Sequence, residues 1–267
     1  MPEGHTLHRL ARLHQRRYKG AVVRVSSPQG RFAAEAVDGR VFVRAEAYGK
    51  HLLHFYGPDT TVHVHLGLYG TFSEAEVPVL APVGQVRMRL VGPTHWTDLR
   101  GPTRCEVLTD VEVKALKARL GPDPLRRDAR PDLAYERVSR SRQSLAVLLM
   151  DQSVLAGVGN VYRAEVLFRH GVHPTTPGNR VTRELWDALW ADLVLLMRDG
   201  VKVGRIDTVR PEHLPEATGR APREDRHGGE VYVYRRTGMP CLLCGTPVAA
   251  AELAGRNLFW CPTCQAG

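Results

Sequence analysis

Four of the five cysteines form two pairs near the carboxyl end of the chain. Cys241 and Cys244 make one CxxC pair, and Cys261 and Cys264 make the second after 16 intervening residues. Four thiolates fill the tetrahedral shell that Zn²⁺ prefers and leave no open position for a substrate. A redox dithiol pair is the alternative. The pattern favours one structural Zn²⁺, whose binding would fold a segment with little core of its own.

The amino end, MPEGHT, places a proline and a glutamate directly after Met1. Removal of Met1 would leave a secondary amine on Pro2, and ordinary α-amines, with a pKa of about 8, are partly neutral at pH 7. A neutral amine can attack an electrophilic carbon to form an iminium, and Glu3 beside it suits acid–base work. An ordinary helix start, with proline in its first turn, is the alternative. If Met1 stays attached, Pro2 is an amide and this chemistry fails.

The stretch SVLAGVGN lies between two helical patterns. Gly157 and Gly159 would let the backbone approach a ligand closely, and Asn160 opens a helix whose N-terminal N–H groups favour an anion. Arg256 lies between the CxxC pairs, at the expected tip of a small β-hairpin, where it is well placed to hold a phosphate. The glycines also fit an ordinary helical hairpin.

The composition describes a basic, folded protein. Its 37 Lys and Arg residues exceed its 28 Asp and Glu residues, for a formal net charge of +9. Such a balance attracts polyanions, among them nucleic acid. No run approaches the roughly 20 apolar residues of a membrane helix, and MPEGHTLHRL lacks a signal-peptide core. We therefore expect a cytoplasmic protein without a membrane partner, in which the lone Cys105 is a small buried hydrophobe.

The first half of the chain must position Pro2 and Glu3. Residues 3–19 predict an amphipathic helix, and several short runs of period two between 21 and about 110 predict an antiparallel sandwich or barrel. His63 and His65 alternate with valines in one such run, which could indicate a metal site. The pattern favours instead two histidines on an exposed strand face.

The second half is mainly helical. A Pro-rich, charged stretch over 121–134 predicts a linker, and helices are expected over 141–152, 160–171 and 182–199, the last with Thr182 as its N-cap. Residues 205–230 lack periodicity and predict a mobile loop. The expected organisation is a β-rich domain over 1–120, this linker, a helical domain over 135–230 and a zinc finger over 231–267.

Three separate parts of the chain together resemble one family. MPEG at the start, GK at 49–50, DQSVLAGVGNVYRAE in the middle and CLLC…GRNLFWCPTCQ at the end occur in a fixed order. This resembles the formamidopyrimidine-DNA glycosylase/endonuclease VIII family over nearly the whole chain. The resemblance implies an α+β fold: an N-terminal antiparallel β-sandwich flanked by helices, then a helix–two-turn–helix domain with a C-terminal zinc-finger β-hairpin.

The resemblance also implies an activity, a bifunctional DNA glycosylase and AP lyase of base excision repair. Pro2 would attack C1′ of a flipped-out damaged nucleotide and displace its base. The Schiff base would permit β- and then δ-elimination, which cuts the strand. Glu3 would transfer protons at the sugar, and Lys50 matches a strand lysine that assists glycosylase chemistry and contacts DNA.

The same resemblance assigns DNA contacts. Asn160 and Arg256 would clamp phosphates, which are sequence-independent contacts suited to a scanning enzyme. Leu68 and Tyr69, in the segment HLGLYG, would fill the gap that a flipped nucleotide leaves, although two core hydrophobes at a hairpin are the alternative. The implied partner is damaged DNA, whether duplex, bubble or single-stranded. The protein would act as a monomer, associated with the bacterial nucleoid.

Two features favour the endonuclease VIII-like branch of bacterial type. The chain begins PEGHT rather than PELPE, and Tyr69 follows Leu68. We therefore expect oxidised pyrimidines as preferred lesions, with 8-oxoguanine or formamidopyrimidine as the alternative. The segment 94–105 departs from the Arg-Arg-Phe pattern of the formamidopyrimidine branch, so that Arg100 is only a weak candidate for reading the opposite base.

Two hypotheses from other classes remain. A non-catalytic DNA-damage-binding protein would use the helical hairpin and zinc ribbon without covalent chemistry, but the set of Pro2, Glu3 and Lys50 argues against it. An RNA-binding or ribosome-associated protein would leave the amino-terminal motif unexplained. Preference for abasic DNA over structured RNA would separate these hypotheses.

Overall fold

A computed structural model describes residues 2–224 and 229–267, which fall into two units. The first unit ends at Arg119 and the second begins at Leu120. Across the described residues, no helix has both the length and the apolar composition needed to cross a bilayer.

Two helices and eight strands build the described part of the first unit. They are α1 (Gly4–Tyr18), β1 (Arg24–Ser26), β2 (Arg44–Tyr48), β3 (His51–Phe55), β4 (Thr61–His65), β5 (Thr71–Glu76), β6 (Met88–Val91), β7 (His95–Arg100), β8 (Arg104–Leu108) and α2 (Asp110–Ala118). The strands form two antiparallel four-stranded sheets, in the orders β1-β6-β7-β5 and β2-β3-β4-β8. This arrangement confirms the sandwich.

The core of the first unit lies between its two sheets. One face of β3 and β4 supplies Leu52, Val62 and Val64, which are fully buried together with Met88 from the other sheet. Helix α1 packs against β2 and β3. The predicted amphipathic stripe of α1 is confirmed, because its apolar positions at helical spacing are buried.

The sequence did not predict strands β5 and β7, because both segments are mainly polar. Strand β7 runs through the segment HWTDLR, whose polar residues resemble a loop. Asp98 is nevertheless fully buried, because Arg89 on β6 donates two hydrogen bonds of 2.7 and 2.8 Å to its carboxylate. A buried charge pair across two strands satisfies both groups, which the one-dimensional pattern cannot show.

Two histidines lie within the core of the first unit. His14 of α1 and His54 of β3 are both 0% exposed, and His14 Nδ1 lies 2.9 Å from His54 Nε2. Burial lowers the pKa of His14 to about 3 and holds that of His54 well below its usual range. Both rings are therefore neutral in the folded protein near neutral pH.

Acid is expected to destabilise the first unit through this pair. Below a pH of about 6.5 the unfolded chain protonates both histidines while the folded chain does not, so each costs up to about 1.4 kcal/mol per pH unit. A double variant, His14→Leu with His54→Phe, should lose less thermal stability between pH 6.5 and 4.5 than the native protein. Equal losses of melting temperature in the two proteins would contradict this account.

The expectation of an exposed face for His63 and His65 is wrong for His63, which is 2% exposed. Its side chain lies on the outer face of the sheet, where α2 covers the neighbouring part of β3 through Leu53, Val113 and Leu116. His65, at the end of β4, is half-buried. The sequence could not show that a helix from later in the chain covers this face.

The second unit contains five helices and one hairpin within the described residues. They are α3 (Pro131–Ser139), α4 (Leu145–Leu148), α5 (Asn160–Arg169), α6 (Arg183–Val203), α7 (Pro215–Thr218), β9 (Ala249–Leu253) and β10 (Arg256–Trp260). Helix α6 begins after Thr182, whose hydroxyl accepts the Leu185 N–H at 3.2 Å, as an N-cap does. Helix α3 starts inside the segment 121–134 that was predicted as a linker.

A buried carboxylate holds the start of the predicted loop over 205–230 and the segment that follows this loop. Glu165 on α5 is 0% exposed and accepts hydrogen bonds from the Thr208 hydroxyl and from the N–H groups of residues 232–234, at 2.6 to 2.9 Å. Within that loop, residues 225–228 lie outside the described residues. The part before them contains α7 and a 3₁₀ turn over Pro211–His213.

Candidate functional site

The amino end places an acid inside the protein. Glu3 is the N-cap residue of α1 and is 0% exposed, while Pro2 is half-buried. The helix therefore begins at Gly4, and Pro2 precedes the cap rather than occupying the first turn. Burying a carboxylate is costly without compensation. The positive end of the α1 dipole stabilises an anion at this point, directly after Pro2.

Lys50 occupies a turn and not a strand. Tyr48 of β2 pairs with His51 of β3, so Gly49 and Lys50 form the two-residue loop between them. Gly49 has a φ of +56°, which a glycine at the first loop position of a type II′ turn adopts without strain. The side chain of Lys50 is half-buried.

Leu68 and Tyr69 lie in the loop that joins β4 of one sheet to β5 of the other. Leu68 is 46% and Tyr69 85% exposed, so the two side chains are not core hydrophobes. The loop closes through a 2.9 Å hydrogen bond from Gly70 N–H to Leu66 O. A Cβ at Gly70 would lie 2.3 Å from that oxygen, so only glycine fits.

Arg100 is held within its own sheet. Its guanidinium donates to Asp98 at 2.9 Å, to Ser73 Oγ at 2.6 Å and to Val83 O. These contacts anchor the connection between β5 and β6.

The four paired cysteines converge on one point. Their sulfur atoms all lie within 4.8 Å of one another, with Cys241 and Cys264 3.8 Å apart and Cys244 and Cys261 3.4 Å apart. Zinc–sulfur bonds of about 2.3 Å in a tetrahedron separate the sulfurs by about 3.8 Å. The donor set and its spacing therefore fit one structural Zn²⁺ with a closed shell.

The zinc module is joined to α5 by specific hydrogen bonds. The Asn257 carbonyl accepts from Asn160 Nδ2 at 2.9 Å and from Arg163 at 2.8 Å. At the other end of α5, fully buried Gln265 donates to Val172 O at 2.8 Å. The hairpin, the cysteine site and the start of α5 are thus held in one arrangement.

The two expected phosphate contacts differ in how they are presented. Arg256 is exposed at the start of β10, directly after the two-residue turn formed by Ala254 and Gly255, which matches the expected hairpin tip. Asn160 is only 5% exposed, and its amide is engaged by Asn257 O and Arg163. A phosphate at Asn160 would therefore meet its second amide hydrogen or the N–H groups of the α5 terminus.

Sequence reasoning missed two polar clusters. The first consists of Arg163, Asn160 and the Asn257 carbonyl. Arg163 is 1% exposed and donates to Asn160 Oδ1, which orients Asn160 towards the hairpin. The other is a hydrogen-bonded array of His51, His63 and Glu106 that begins beside Lys50. The sequence does show His51 in one strand pattern and His63 in the next. The pairing register is needed to place both on one sheet face and to connect them with Glu106.

Models of three domains match the chain in order. The formamidopyrimidine-DNA glycosylase N-terminal domain matches residues 1–105, and the formamidopyrimidine-DNA glycosylase H2TH domain matches residues 120–211. A zinc finger found in FPG and IleRS matches residues 238–267. The three matches follow the two units and the cysteine site described above.

Three relatives match between 78% and 100% of the chain. Endonuclease 8 1 of Mycobacterium tuberculosis is 57% identical over 274 residues, which cover 99% of this chain and 100% of the relative. Formamidopyrimidine-DNA glycosylase of a Synechococcus strain is 33% identical over 216 residues, covering 78% and 74%. Probable endonuclease 8 2 of Streptomyces coelicolor is 31% identical over 280 residues, covering 100% and 95%.

Solved structures share the fold. A point mutant of Lactococcus lactis FPG, in complex with a Fapy-dG containing DNA, superposes with a TM-score of 0.79 at 22% identity and full coverage of both chains. MutM (FPG) of Thermus thermophilus superposes with a TM-score of 0.77 at 28% identity, and the match covers 99% of this chain and 98% of that one.

Proposed function

The chain belongs to the formamidopyrimidine-DNA glycosylase/endonuclease VIII family of DNA-repair glycosylases, and on this premise we propose that it works through a Schiff base on Pro2. The fully buried Glu3, directly beside that amine at the positive end of α1, is the observation that carries the proposal. Buried acids cluster at catalytic sites, because such sites use burial and fixed dipoles to match an acid to its task.

The proposed reaction begins once Met1 is removed. The Pro2 amine attacks C1′ of the damaged nucleotide, the C1′–base bond breaks, and the base leaves with a proton. The C1′–O4′ bond then breaks, with a proton going to O4′, and the sugar ring opens to give an iminium between the Pro2 nitrogen and C1′. This iminium acidifies the C2′ proton, whose removal expels the 3′ phosphate. A second elimination expels the 5′ phosphate and leaves a one-nucleotide gap. Glu3 transfers protons at the sugar during the first of these steps.

A Glu3→Gln variant should separate the two activities. Glutamine keeps the shape but cannot exchange a proton, so base release should fall by a factor of about 10²–10⁴. A preformed abasic site already has a reactive aldehyde and needs no proton for base departure, so its cleavage should fall much less. Single-turnover rates on matched lesion and abasic oligonucleotides measure this, and equal losses on both would contradict the role given to Glu3.

Damaged DNA is the proposed partner. Arg256, exposed on the zinc hairpin, and the amino end of α5 at Asn160 offer a cation and N–H groups for phosphates. Lys50, in the β2–β3 turn, would contact the DNA backbone near the reacting sugar. Exposed Leu68 and Tyr69 would enter the space left by the flipped nucleotide, since large apolar side chains in solvent are otherwise unfavourable.

The proposed lesions are oxidised pyrimidines. Support comes from the sequence, which begins PEGHT and carries Tyr69 after Leu68, and from the 57% identity to a relative named endonuclease 8 1. Arg100 is held by Asp98 and Ser73, so its guanidinium contributes little to reading an opposite base.

Borohydride trapping on an oligonucleotide with one abasic site tests the proposal. The reductant converts a Schiff base into a stable amine, so a covalent protein–DNA band is expected from the native protein. A panel of oxidised pyrimidines, 8-oxoguanine and formamidopyrimidine in matched duplexes then ranks the lesions. A zinc-loaded protein without Met1 that binds abasic DNA but forms no band would instead be a non-catalytic damage-binding protein.

A further inference from the structure

Two histidines and a carboxylate form a continuous hydrogen-bonded chain on the outer face of the sheet β2-β3-β4-β8. His51 Nδ1 lies 2.8 Å from His63 Nε2, and His63 Nδ1 lies 3.0 Å from Glu106 Oε1. The rings of His51 and His63 stack with their centroids 5.0 Å apart. The proposed mechanism gives this histidine array, His51, His63 and Glu106, no role.

The array connects the surroundings of Lys50 with solvent. Lys50 directly precedes His51, and its ammonium lies close enough to contribute, after burial and His63, to the lowered pKa of His65. The rings of His51 and His65 are 5.1 Å apart. At the far end the Glu106 side chain is 40% exposed, whereas His63 between them is 2% exposed.

The hydrogen bonds fix where the protons are. An ionised carboxylate only accepts, so His63 donates from Nδ1 to Glu106. The Nε2 of a neutral His63 then accepts, so His51 must donate from Nδ1. A neutral His51 consequently keeps a lone pair on Nε2, and a protonated His51 presents an N–H there without changing any other bond in the array.

Cations surround the array in the free protein. Charged and titratable groups face it from five places: Tyr48 on β2, Lys50 in the β2–β3 turn, His65 on β4, Arg104 on β8 and Arg119 at the end of α2. The ion pair between Glu46 and Lys117 lies further along β2. Burial, followed by the neighbouring histidines and then Arg119 and Arg104, lowers the pKa of His51 to about 3. Both histidines of the array are therefore neutral at pH 7.

We propose that a DNA phosphate bound at Lys50 draws one proton from solvent onto Nε2 of His51, which then donates a hydrogen bond to that phosphate. This rests on the proposed function, because it takes Lys50 as a DNA contact. A phosphodiester offsets the cations that disfavour an imidazolium, and an opposite charge within about 4–6 Å raises a histidine pKa. Glu106, through its hydrogen bond with His63, stabilises the new charge, as a carboxylate does for the histidine of a catalytic triad.

The consequence is a binding affinity that depends on pH. The free protein has His51 neutral throughout pH 6–8, whereas the complex would carry the extra proton. Linkage then requires tighter binding as the pH falls. Uptake of one proton makes the dissociation constant decrease by up to about tenfold for each pH unit, so binding should tighten from pH 8 to pH 6.

Fluorescence anisotropy with a duplex containing a tetrahydrofuran abasic analogue measures this directly, because the analogue has no aldehyde and cannot react. Titrations at pH 6, 7 and 8 need constant ionic strength, since phosphate contacts are salt-dependent. Calorimetry in two buffers of different ionisation enthalpy counts the protons taken up. The expected difference between native protein and His51→Gln is up to about one proton per DNA bound, largest at pH 6, with a nearly flat affinity in the variant.

Two further variants sharpen the test. Glu106→Gln removes the carboxylate that stabilises the imidazolium while leaving His51 in place, so proton uptake should fall without the loss of the ring. His213→Gln, in the other unit, is the matched control and should keep the native pH dependence. Melting temperatures at pH 7 show whether each variant is folded.

Equal pH dependence and equal proton uptake in native protein and folded His51→Gln would overturn the inference. If the native protein still forms the borohydride adduct in that case, the proposed function stands without it. Failure of the native protein both to bind the analogue and to form the adduct at any pH would overturn both.

Discussion

An extra alanine between Met1 and Pro2 is expected to abolish covalent trapping on abasic DNA. The insertion turns the Pro2 nitrogen into an amide without a nucleophilic lone pair, and it moves the chain's amine away from the buried Glu3. Loss of a catalytic nucleophile costs at least about 10³-fold in rate. Single-turnover strand cleavage and borohydride trapping, with the mass of each protein checked, measure the effect.

The matched control is Pro2→Gly. This variant loses the proline ring but keeps an amine at the same position, so it should retain measurable trapping while the insertion variant does not. Both proteins should bind the tetrahydrofuran duplex with similar affinity, because neither change removes a cation. An insertion variant that traps abasic DNA as well as the native protein would rule out Pro2 as the nucleophile.

Loss of the zinc ion is the second large effect that we expect. Cys244→Ala leaves three thiolates, and structural zinc contributes folding free energy directly to modules of this kind. Without the metal the hairpin that carries Arg256 should melt, and Asn160 should lose the Asn257 carbonyl that holds it at 2.9 Å. Two lost clamp contacts of about 1.5 kcal/mol each weaken DNA binding by about 100-fold.

Metal analysis and anisotropy on the same preparations check this prediction. Cys105→Ala is the matched control, because Cys105 lies in the first unit, 8% exposed, where burial raises the pKa of its thiol to about 12. It should keep one zinc per chain and native affinity. If the metal-free Cys244→Ala protein binds DNA as tightly as the native one, the zinc module is not a DNA clamp.

Sequence periodicity was sufficient to predict a helix or strand wherever the buried positions of that element follow a simple repeat. The stripe of α1, the Thr182 cap of α6 and the β-rich character of the first unit were all predictable, because they depend on neighbours within one helix or strand. Strand β7 was not, since its buried Asp98 is acceptable only opposite Arg89 of β6. That pairing depends on residues that are distant along the chain.

The same division applies to the candidate site. The spacing of Cys241, Cys244, Cys261 and Cys264 was enough to predict a zinc site, because the ligand chemistry of two CxxC pairs is local. The family resemblance had implied a strand position for Lys50. The register of β2 and β3 puts it in a turn, since Tyr48 pairs directly with His51.

By itself, then, the sequence determined the residue types at the candidate site, which are a proline and a glutamate after Met1 and four paired cysteines. It also indicated a family of DNA-repair enzymes. Tertiary structure alone decided the surroundings of these residues. It buried Glu3, exposed Tyr69, and joined His51, His63 and Glu106 into one array across three strands. The physical reason is that burial, strand register and electrostatic environment are properties of pairs of distant segments, which hydrophobic periodicity along a single segment does not contain.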